Sequence, residues 1–495
     1  MTSPATARPL DPASLAGLAE AIGVPTYDRD ALVPGILHIG VGGFHRAHLA
    51  TYCDELARSG RTDWAIVGCG VLEGDAAMAS VLTAQQGLYT LVTKDARAVE
   101  IDVIGSITEF IHAWPDPHEA IERIADPAIQ VISLTITEGG YPVDDVTGRY
   151  LPHSPNAGPG SAFGIIAAGL QRRRMMDSGP VTVLSCDNIM SNGHVTEAAT
   201  RGEAERIGPD LVAWLGDSVS FPNSMVDRIT PVTSSNDRLW LRETHGIDDG
   251  WPVMTEPFRQ WVVEDRFAGR RPPLEDLDVI VTDDVEPYEF MKLRLLNAGH
   301  SCMAYLAALM GIETVDAAMA EPTISDFLVA FLHDEAQPVL PPVEGIDVDA
   351  YIATLLERFR NPEIGDQIAR LCLDGTAKFP KFLLPTVRAN ASSGGPVALS
   401  ALALAAWCQY LLGTDEHGNP IDIADDPRLD VAVEAAESSL VAPAGFLSLD
   451  GVFDGAIATA PTFRAAFVEA VDLLRTHKVA EAIRLTVRAT DEAHP

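Results

Sequence analysis

The stretch GILHIGVGGFHRAHLATYCDELARSG, residues 35–60, decides the expected fold of the N-terminal part of the chain. An apolar strand at residues 36–41 runs into a turn containing Gly40, Gly42 and Gly43, and a helix follows that ends near Gly60. Glycine lets the main chain approach a ligand closely, and a helix N-terminus supplies free N–H groups. The order strand, glycine turn, helix is therefore typical of a site for a dinucleotide pyrophosphate.

This turn departs from the G-x-G-x-x-G pattern, because His45 stands where the third glycine is expected. Phe44 lies beside it, and Arg46 is a cation in position to meet phosphate. The glycines of the turn, Phe44 and Arg46 are thus candidate cofactor-binding residues. A tight turn without a ligand is the alternative for so short a motif.

A second strand at residues 64–68 is expected to lie next to the first, with Glu73 and Asp75 just beyond it. An acid at this place binds the ribose hydroxyls of adenosine and repels a 2′-phosphate, which favours NAD over NADP. Asp75 follows Gly40 by 35 residues, more than the usual separation of about 20. An exposed loop is the alternative for both acids.

Strands and helices alternate through the rest of the N-terminal part. Strands are predicted at residues 89–93, 101–104, 130–135 and 181–185, and helices at 118–125, 163–176 and 192–215. The alternation predicts an open, largely parallel sheet covered on both faces, with ligands beyond the carboxyl ends of its strands. Two strands end in polar residues: Thr135 and Thr137 in LTITEGGY, and Asp187 and Asn188 in SCDN. A cap on the next helix is the alternative for the Asx pair.

The pattern becomes almost entirely helical near residue 285. Helices are predicted at residues 286–306, 313–331, 349–358, 363–373, 397–412, 427–438, 465–476 and 479–490. We therefore expect a Rossmann-like α/β domain over residues 1–284 and a mostly α-helical domain over residues 285–495. A cleft between two such domains is the natural place for a site.

The predicted helix at residues 286–306, EPYEFMKLRLLNAGHSCMAYL, sets four polar residues into an apolar run. At about 100° per residue, Glu289 lies about 60°, His300 about 80° and Asn297 about 140° from Lys292, so all four share one side. A buried polar group without a partner costs a few kcal/mol, which makes four of them hard to explain as packing alone. This face indicates a site for a ligand of sugar-alcohol size, although a lone lysine or histidine is more often structural.

Composition limits the possible partners. The chain has 70 acidic and 35 basic side chains, a formal charge of −35, which disfavours nucleic acid and anionic membranes as partners. Its six cysteines are scattered singly, so neither a disulfide framework nor a zinc site is indicated. The N-terminus lacks the pattern of a secretory signal. We expect a cytoplasmic protein, a monomer or weak oligomer, without a metal.

Six segments within residues 35–390 resemble, in the same order, the polyol-specific long-chain dehydrogenases, the mannitol dehydrogenase family. They are GILHIGVGGFHRAH, LTITEGGY, SCDN, SFPNSMVDRITP, PYEFMKLRLLNAGHS and DGTAKFPKFLLPT. The most specific of them is the K-x4-N-x2-H element. The resemblance implies NAD as cofactor and a polyol or ketose as substrate.

The resemblance also implies catalytic roles. Lys292 would be the catalytic base, and Asn188 and Asn297 would hold the oxygen undergoing oxidation. His300 would position substrate hydroxyls, and Glu289 would pass the proton toward solvent. Such a reaction needs no zinc if burial in an apolar helix lowers the pKa of the lysine amine toward working pH.

Four further positions take binding roles by resemblance. Asp227, Arg370 and Lys378 match residues that contact the rest of the polyol, and Asp75 matches the acid that selects NAD. Family members commonly carry a histidine where this chain has Ser191, which puts any role of that ring in doubt.

The leading hypothesis is NAD-dependent interconversion of D-mannitol and D-fructose. Oxidation of D-arabinitol or sorbitol and reduction of hexuronates such as fructuronate are alternatives within the same family. A lyase with Lys292 as a Schiff-base lysine and a nucleotide-sensing module are alternatives from other classes.

Overall fold

A computed structural model of the chain describes residues 7–144 and 147–493. These form two compact units that divide between Glu286 and Pro287. The described strands all precede this point: β1 Arg8–Pro9, β2 Pro34–Ile39, β3 Ala65–Gly70, β4 Tyr89–Lys94, β5 Val99–Ile104, β6 Ile107–His112, β7 Val131–Leu134, β8 Val181–Ser185, β9 Val219–Ser220, β10 Ser224–Asp227, β11 Ile247–Asp248, β12 Val253–Thr255, β13 Gln260–Glu264 and β14 Ile280–Thr282.

Eight α-helices belong to the first unit and thirteen begin at or after Glu286. The first eight are α1 Gly43–Ala47, α2 Leu49–Arg58, α3 Ala76–Ala84, α4 His118–Ile124, α5 Ala162–Met176, α6 Asn192–Ile207, α7 Pro209–Ser218 and α8 Ser235–His245. The others are α9 Glu286–Lys292, α10 Ala298–Leu309, α11 Val315–Ala320, α12 Pro322–Ala330, α13 Val348–Phe359, α14 Ile368–Leu371, α15 Gly375–Phe382, α16 Leu384–Ser393, α17 Ala398–Tyr410, α18 Leu429–Ser438, α19 Gly455–Thr459, α20 Pro461–Thr476 and α21 Val479–Ala493. The described part contains no helix long and apolar enough to cross a bilayer.

The central sheet of the first unit has six parallel strands in the order β6-β3-β2-β7-β8-β9. From β2 the chain first adds β3 and β6 on one side and then returns to add β7, β8 and β9 on the other. The order therefore reverses between β2 and β7, which is the switch point where a dinucleotide crosses this kind of sheet. The predicted pairing of the first two strands is confirmed.

Both faces of this sheet are covered, as predicted. Ile36 and Ile66 pack on one face with α2, in a core that also contains Tyr52. Their neighbours Leu37 and Val67 point to the other face and pack with α4, α5 and α6. Alternate side chains of one strand thus feed two separate cores.

Two predicted strands lie outside the central sheet. β4 and β5 pair antiparallel and join β12 in a three-stranded sheet. The reason is the connection at residues 95–98, which is long enough for a hairpin but too short for a parallel crossover. The central sheet instead takes β6, which sequence analysis did not identify.

Several predicted helices are shorter than expected because glycine or proline interrupts them. The helix predicted at residues 192–215 divides at Gly208, and the one at 313–331 divides before Pro322, which starts α12. The helix predicted at residues 397–412 is confirmed as α17, a buried helix that packs against α10 and α20.

The helix predicted at residues 286–306 contains a π turn, Leu293–Asn297, between α9 and α10. Here the Ala298 N–H donates to the carbonyl of Leu293, five residues back. The sequence pattern predicts a continuous α-helix at this place, and this prediction is wrong. The widened turn packs against a second π turn, Phe331–Ala336.

The second π turn carries Glu335, a carboxylate with no exposed surface. Its oxygens accept the N–H groups of Leu399 and Ser400, at 2.7 and 2.9 Å, at the start of α17. Burial raises the pKa of Glu335 from 4.5 to about 7, although these hydrogen bonds act in the other direction. Glu335 therefore caps a core helix with a group that titrates near neutral pH.

We expect Glu335 to make the stability of the protein depend on pH. A carboxyl group whose pKa is higher in the folded chain contributes fully below its unfolded pKa of 4.5, and this contribution is lost as the pH rises through about 7. The difference amounts to about 3 kcal/mol. In Glu335→Gln this pH dependence should vanish, as measured by thermal unfolding between pH 5 and 8. The exposed Glu437 provides the control Glu437→Gln, and an equal loss of slope in both variants would contradict the expectation.

Candidate active site

The turn after β2 is shaped by the close approach of two strand ends. Gly40 has φ +92°, and a Cβ at this position would overlap the carbonyl oxygen of Thr135 at the end of β7. Only glycine fits this position. Beyond it, Gly42 precedes α1 without a side-chain cap, so the N–H groups at the start of that helix are not bound by a capping side chain.

Two buried histidines, His38 of β2 and His45 of α1, pack together next to the glycine turn. The ring of His38 contacts Ser133 Oγ at 2.8 Å and Thr135 Oγ1 at 2.9 Å. The ring of His45 stacks on it with centroids 3.4 Å apart. Burial lowers the pKa of His38 to about 3 and that of His45 well below its usual value, so both rings are neutral at pH 7. The residue at the third glycine position thus packs against β2, a role that sequence analysis did not foresee.

Arg46 and Phe44 occupy the first helical turn. Phe44 is half-buried and stacks on His48. Arg46 is 1% exposed, and its guanidinium donates to the carbonyls of Gly42 and Trp251. These contacts give Arg46 a structural role in holding the turn, and its contact with phosphate stays a prediction.

Asp75 follows β3, the strand that pairs with β2, and the glycine turn follows β2. A Cβ at Gly70, the last residue of β3, would lie within 2.5 Å of the Asp75 Cβ, so the acid sits directly against the strand end. One carboxylate oxygen accepts the Leu72 N–H at 2.9 Å. Asp75 is half-buried, whereas Glu73 is exposed.

Asp187 follows β8 and binds the loop that follows β7. Its carboxylate accepts the N–H groups of Ile136 and Thr137 at 3.0 and 2.9 Å and the O–H of Tyr141 at 2.7 Å. It is 7% exposed, and burial raises its pKa. The alternative of a helix cap is wrong for Asp187, because α6 begins after Ser191 without a side-chain cap.

Thr137 adopts an unusual main-chain conformation, with φ 62° and ψ 164°. This region is essentially restricted to glycine, and a β-branched residue there carries about 1–3 kcal/mol of strain. The side chain of Thr137 is exposed, so core packing does not impose the conformation. Strain of this kind clusters at ligand sites.

Asn188 and Asp227 complete the candidates of the first unit. Asn188 directly follows Asp187 and is exposed. Asp227 is the last residue of β10, opposite Gln260 of β13, in a sheet separate from the central one. It is 5% exposed.

The predicted polar face of the second unit extends over α9, the π turn and α10. Three of its four side chains are buried. Glu289, Lys292 and His300 are 5, 6 and 8% exposed, and the His300 ring stacks on Phe359 with centroids 4.1 Å apart. A regular α-helix would separate Asn297 from Lys292 by about 140°, and a turn closed over five residues winds less per residue, which makes this angle smaller. The π turn therefore brings the main-chain positions of Lys292 and Asn297 closer together around the helix axis.

Asn297 has a buried oxygen, Oδ1, with no hydrogen-bond partner among the residues that the structure describes. A buried acceptor left without a partner is costly and calls for an explanation. A bound ligand with a hydroxyl group would provide one.

The two substrate-binding candidates after residue 365 lie on helices that pack against α10. Arg370, on α14, is 59% exposed at its side chain and forms an ion pair with Asp366. Lys378, on α15, donates to the carbonyl of Leu371 at 3.2 Å. The structure thus places both near the helix that bears His300, within one unit.

Comparisons with known proteins identify the family. The description "Mannitol dehydrogenase Rossmann domain" matches residues 34–276, and "Mannitol dehydrogenase C-terminal domain" matches residues 284–475. The chain is 43% identical to the mannitol 2-dehydrogenase of Cereibacter sphaeroides over 461 residues. The aligned region covers 90% of this chain and 95% of that protein.

Two solved structures are similar over nearly the whole length. One is the Pseudomonas fluorescens mannitol 2-dehydrogenase in ternary complex with NAD and D-mannitol, 40% identical, with a TM-score of 0.86 over 99% of this chain and 100% of that one. The other is a D-sorbitol dehydrogenase in substrate-free form, 32% identical, with a TM-score of 0.88 over 96% and 100%. With a glycine turn at the switch point of one unit and a buried lysine–amide face in the other, the chain belongs to the mannitol dehydrogenase family.

Proposed function

We propose that the chain interconverts D-mannitol and D-fructose by NAD-dependent hydride transfer, with Lys292 as the base and without zinc. The observation that carries the mechanism is the buried Lys292, which is 6% exposed on a helical segment that also carries Asn297, whose Oδ1 is buried without a hydrogen-bond partner among the described residues. Family membership supports an NAD-dependent polyol dehydrogenase, and the similar structure with NAD and D-mannitol supports this substrate. Among the described residues, no group of three or more His, Cys, Asp or Glu side chains is placed to hold a metal.

The first unit fits NAD at several points. Gly40 leaves the turn without a side chain at the switch point, and α1 begins there with uncapped N–H groups that suit a pyrophosphate. Asp75 stands at the end of β3, where a carboxylate binds the adenosine ribose. Bound there, NAD would supply the acceptor for the hydride that leaves the alcohol carbon.

The side chains of the second unit handle the proton. Burial disfavours a charged amine, so Lys292 at 6% exposure is suited to accept the hydroxyl proton as the alcohol becomes a ketone. The N–H groups of Asn188 and Asn297 donate to the substrate oxygen and stabilise its alkoxide character. Glu289, one helical turn before Lys292, passes the proton on toward solvent.

The remaining residues hold the substrate chain. His300, kept in place by its stack on Phe359, binds a hydroxyl next to the reacting carbon. Asp227, Arg370 and Lys378 bind the hydroxyls farther along. The Arg370 guanidinium is already paired with Asp366, which fits a neutral polyol better than a hexuronate.

A second candidate substrate is D-sorbitol, which the likeness to the D-sorbitol dehydrogenase supports. A panel of D-mannitol, D-sorbitol, D-arabinitol, D-fructose and fructuronate, assayed with NAD(H) and NADP(H), tests the proposal. We expect the largest kcat/KM for D-mannitol and D-fructose with NAD(H). Absence of NADH formation from every polyol would contradict the proposed function, and a larger value for D-sorbitol would change the substrate alone.

Asp75→Ala should weaken the preference for NAD over NADP, because the carboxylate no longer repels the 2′-phosphate. The measurement is the ratio of kcat/KM for the two cofactors. Glu73→Ala removes an exposed neighbouring acid and is the matched control. If the ratio changes in Glu73→Ala instead, the role belongs to Glu73.

A further inference from the structure

The carboxylate of Asp187 connects two neighbouring strand ends of the central sheet. It follows β8, and its hydrogen bonds reach the main chain of Ile136 and Thr137, which follow β7. The partners are 51 and 50 residues away in sequence, so these bonds are tertiary contacts and not a local turn. Both carboxylate oxygens are used, since Oδ1 accepts Thr137 and Oδ2 accepts Ile136 and Tyr141.

The loop whose main chain binds Asp187 contains Thr137, the residue with the strained conformation. Thr137 stays in a glycine-only region of conformation, and such a conformation persists only where surrounding contacts impose it. The Asp187 carboxylate, which binds the Thr137 N–H directly, is one such contact. Tyr141, whose O–H binds both Ser185 and Asp187, closes the loop at its other end.

The position of this loop relates it to one half of a dinucleotide. In a sheet with this strand order, each half binds one mononucleotide, and the acid after the second strand marks the adenosine half. β2, β3 and β6 with Asp75 form that half. β7 and β8 belong to the other half, which therefore receives the nicotinamide nucleotide.

We propose that Asp187 is a positioning residue, which holds the loop around Thr137 in its strained conformation so that it fits the nicotinamide half of NAD. This inference rests on the proposed function, because it takes NAD as the ligand. Asp187 acts through the loop and takes no part in the transfer of hydride or proton.

The test compares two ligands that differ only in the nicotinamide group, NADH and ADP-ribose. Asp187→Asn keeps the shape of the side chain but offers one oxygen instead of two, so at least one main-chain N–H faces an amide NH2. We expect the Kd for NADH to rise about tenfold, the scale of one lost buried hydrogen bond. The Kd for ADP-ribose should stay unchanged. NADH binding is measured by its fluorescence and ADP-ribose binding by competition.

Asp54→Asn is the matched control. Asp54 on α2 is 1% exposed and also accepts a tyrosine O–H, from Tyr27, and a main-chain N–H, from Gly105 at 2.8 Å. Gly105 precedes β6, so this carboxylate lies at the amino edge of the sheet, opposite the site. The control should lower the melting temperature without changing the ratio of the two Kd values.

Tyr141→Phe is a milder second variant that removes one hydrogen bond to Asp187, and it should change the ratio in the same direction. An unchanged ratio in both variants, while the wild-type protein binds NADH, would overturn the inference alone. An equal change in Asp54→Asn would also overturn it, since the effect would then be general. A wild-type protein that binds no NADH would overturn the proposed function and the inference with it.

Discussion

Lys292→Ala is expected to lower kcat by about 10²- to 10⁴-fold, the range that a positioned general base contributes. The amine is 6% exposed, and without it the proposed acceptor of the hydroxyl proton is lost. The Kd for NADH should remain that of the wild-type protein, because the proposed cofactor contacts belong to the first unit. Stopped-flow or steady-state NADH formation from D-mannitol across pH 6 to 10 measures the effect.

The pH profile adds a second readout for this variant. The wild-type kcat/KM should rise with pH as the base loses its proton, and this limb should disappear in Lys292→Ala. Lys478→Ala is the control, since Lys478 is 58% exposed and contacts Glu416 and His417 at the surface. Turnover near the wild-type value in Lys292→Ala would remove the residue as base. A covalent adduct on Lys292 after borohydride treatment with D-fructose would favour the Schiff-base alternative instead.

Asn297→Ala is expected to lower kcat by about 10²- to 10³-fold, the effect of removing one donor to a developing oxyanion. The substitution removes the amide at the end of the π turn, together with its buried Oδ1, which has no partner among the described residues. KM for D-mannitol should change much less than kcat, because the hydrogen bond strengthens as the alcohol becomes an alkoxide.

Asn297→Asp separates the donor from the shape of the side chain. It keeps the size but replaces the N–H donor by a carboxylate oxygen, so it should be at least as inactive as Asn297→Ala. Asn419→Ala is the control, because that amide binds Asp415 in an exposed loop. A variant that loses affinity for D-mannitol but keeps kcat would show that Asn297 binds substrate without stabilising the transition state.

The parts of the fold that the sequence predicts are those set by residues close to one another in the chain. Gly40 adopts a positive φ that favours glycine, and the strand and helix beside the turn follow from periodicity. The hairpin of β4 and β5 was also within reach, because four connecting residues allow only antiparallel pairing. β6 was harder to predict, because it follows β5 after only two residues and its pairing with β3 depends on contacts about 40 residues apart.

The parts of the candidate site that sequence could not predict depend on contacts between distant residues or on hydrogen bonds within the main chain. A period of 3.6 places Glu289, Lys292 and His300 on one face, but it contains no sign of a turn closed over five residues. The sequence pattern alone shows that the segments SCDN and LTITEGGY each lie at the end of a predicted strand. That Asp187 binds the loop after β7 becomes visible only when β7 and β8 are known to be neighbours.

The π turn at Leu293–Asn297 also affects how this helical segment tolerates the insertion of a residue. An additional residue in a regular helix would rotate everything after it by about 100°, and the apolar side chains of α10 would leave the core. A bulge absorbs such a residue locally, so the segments before and after it keep their packing. Insertion at this one place is a way for a chain to acquire a new alignment of reactive groups while its interior stays intact.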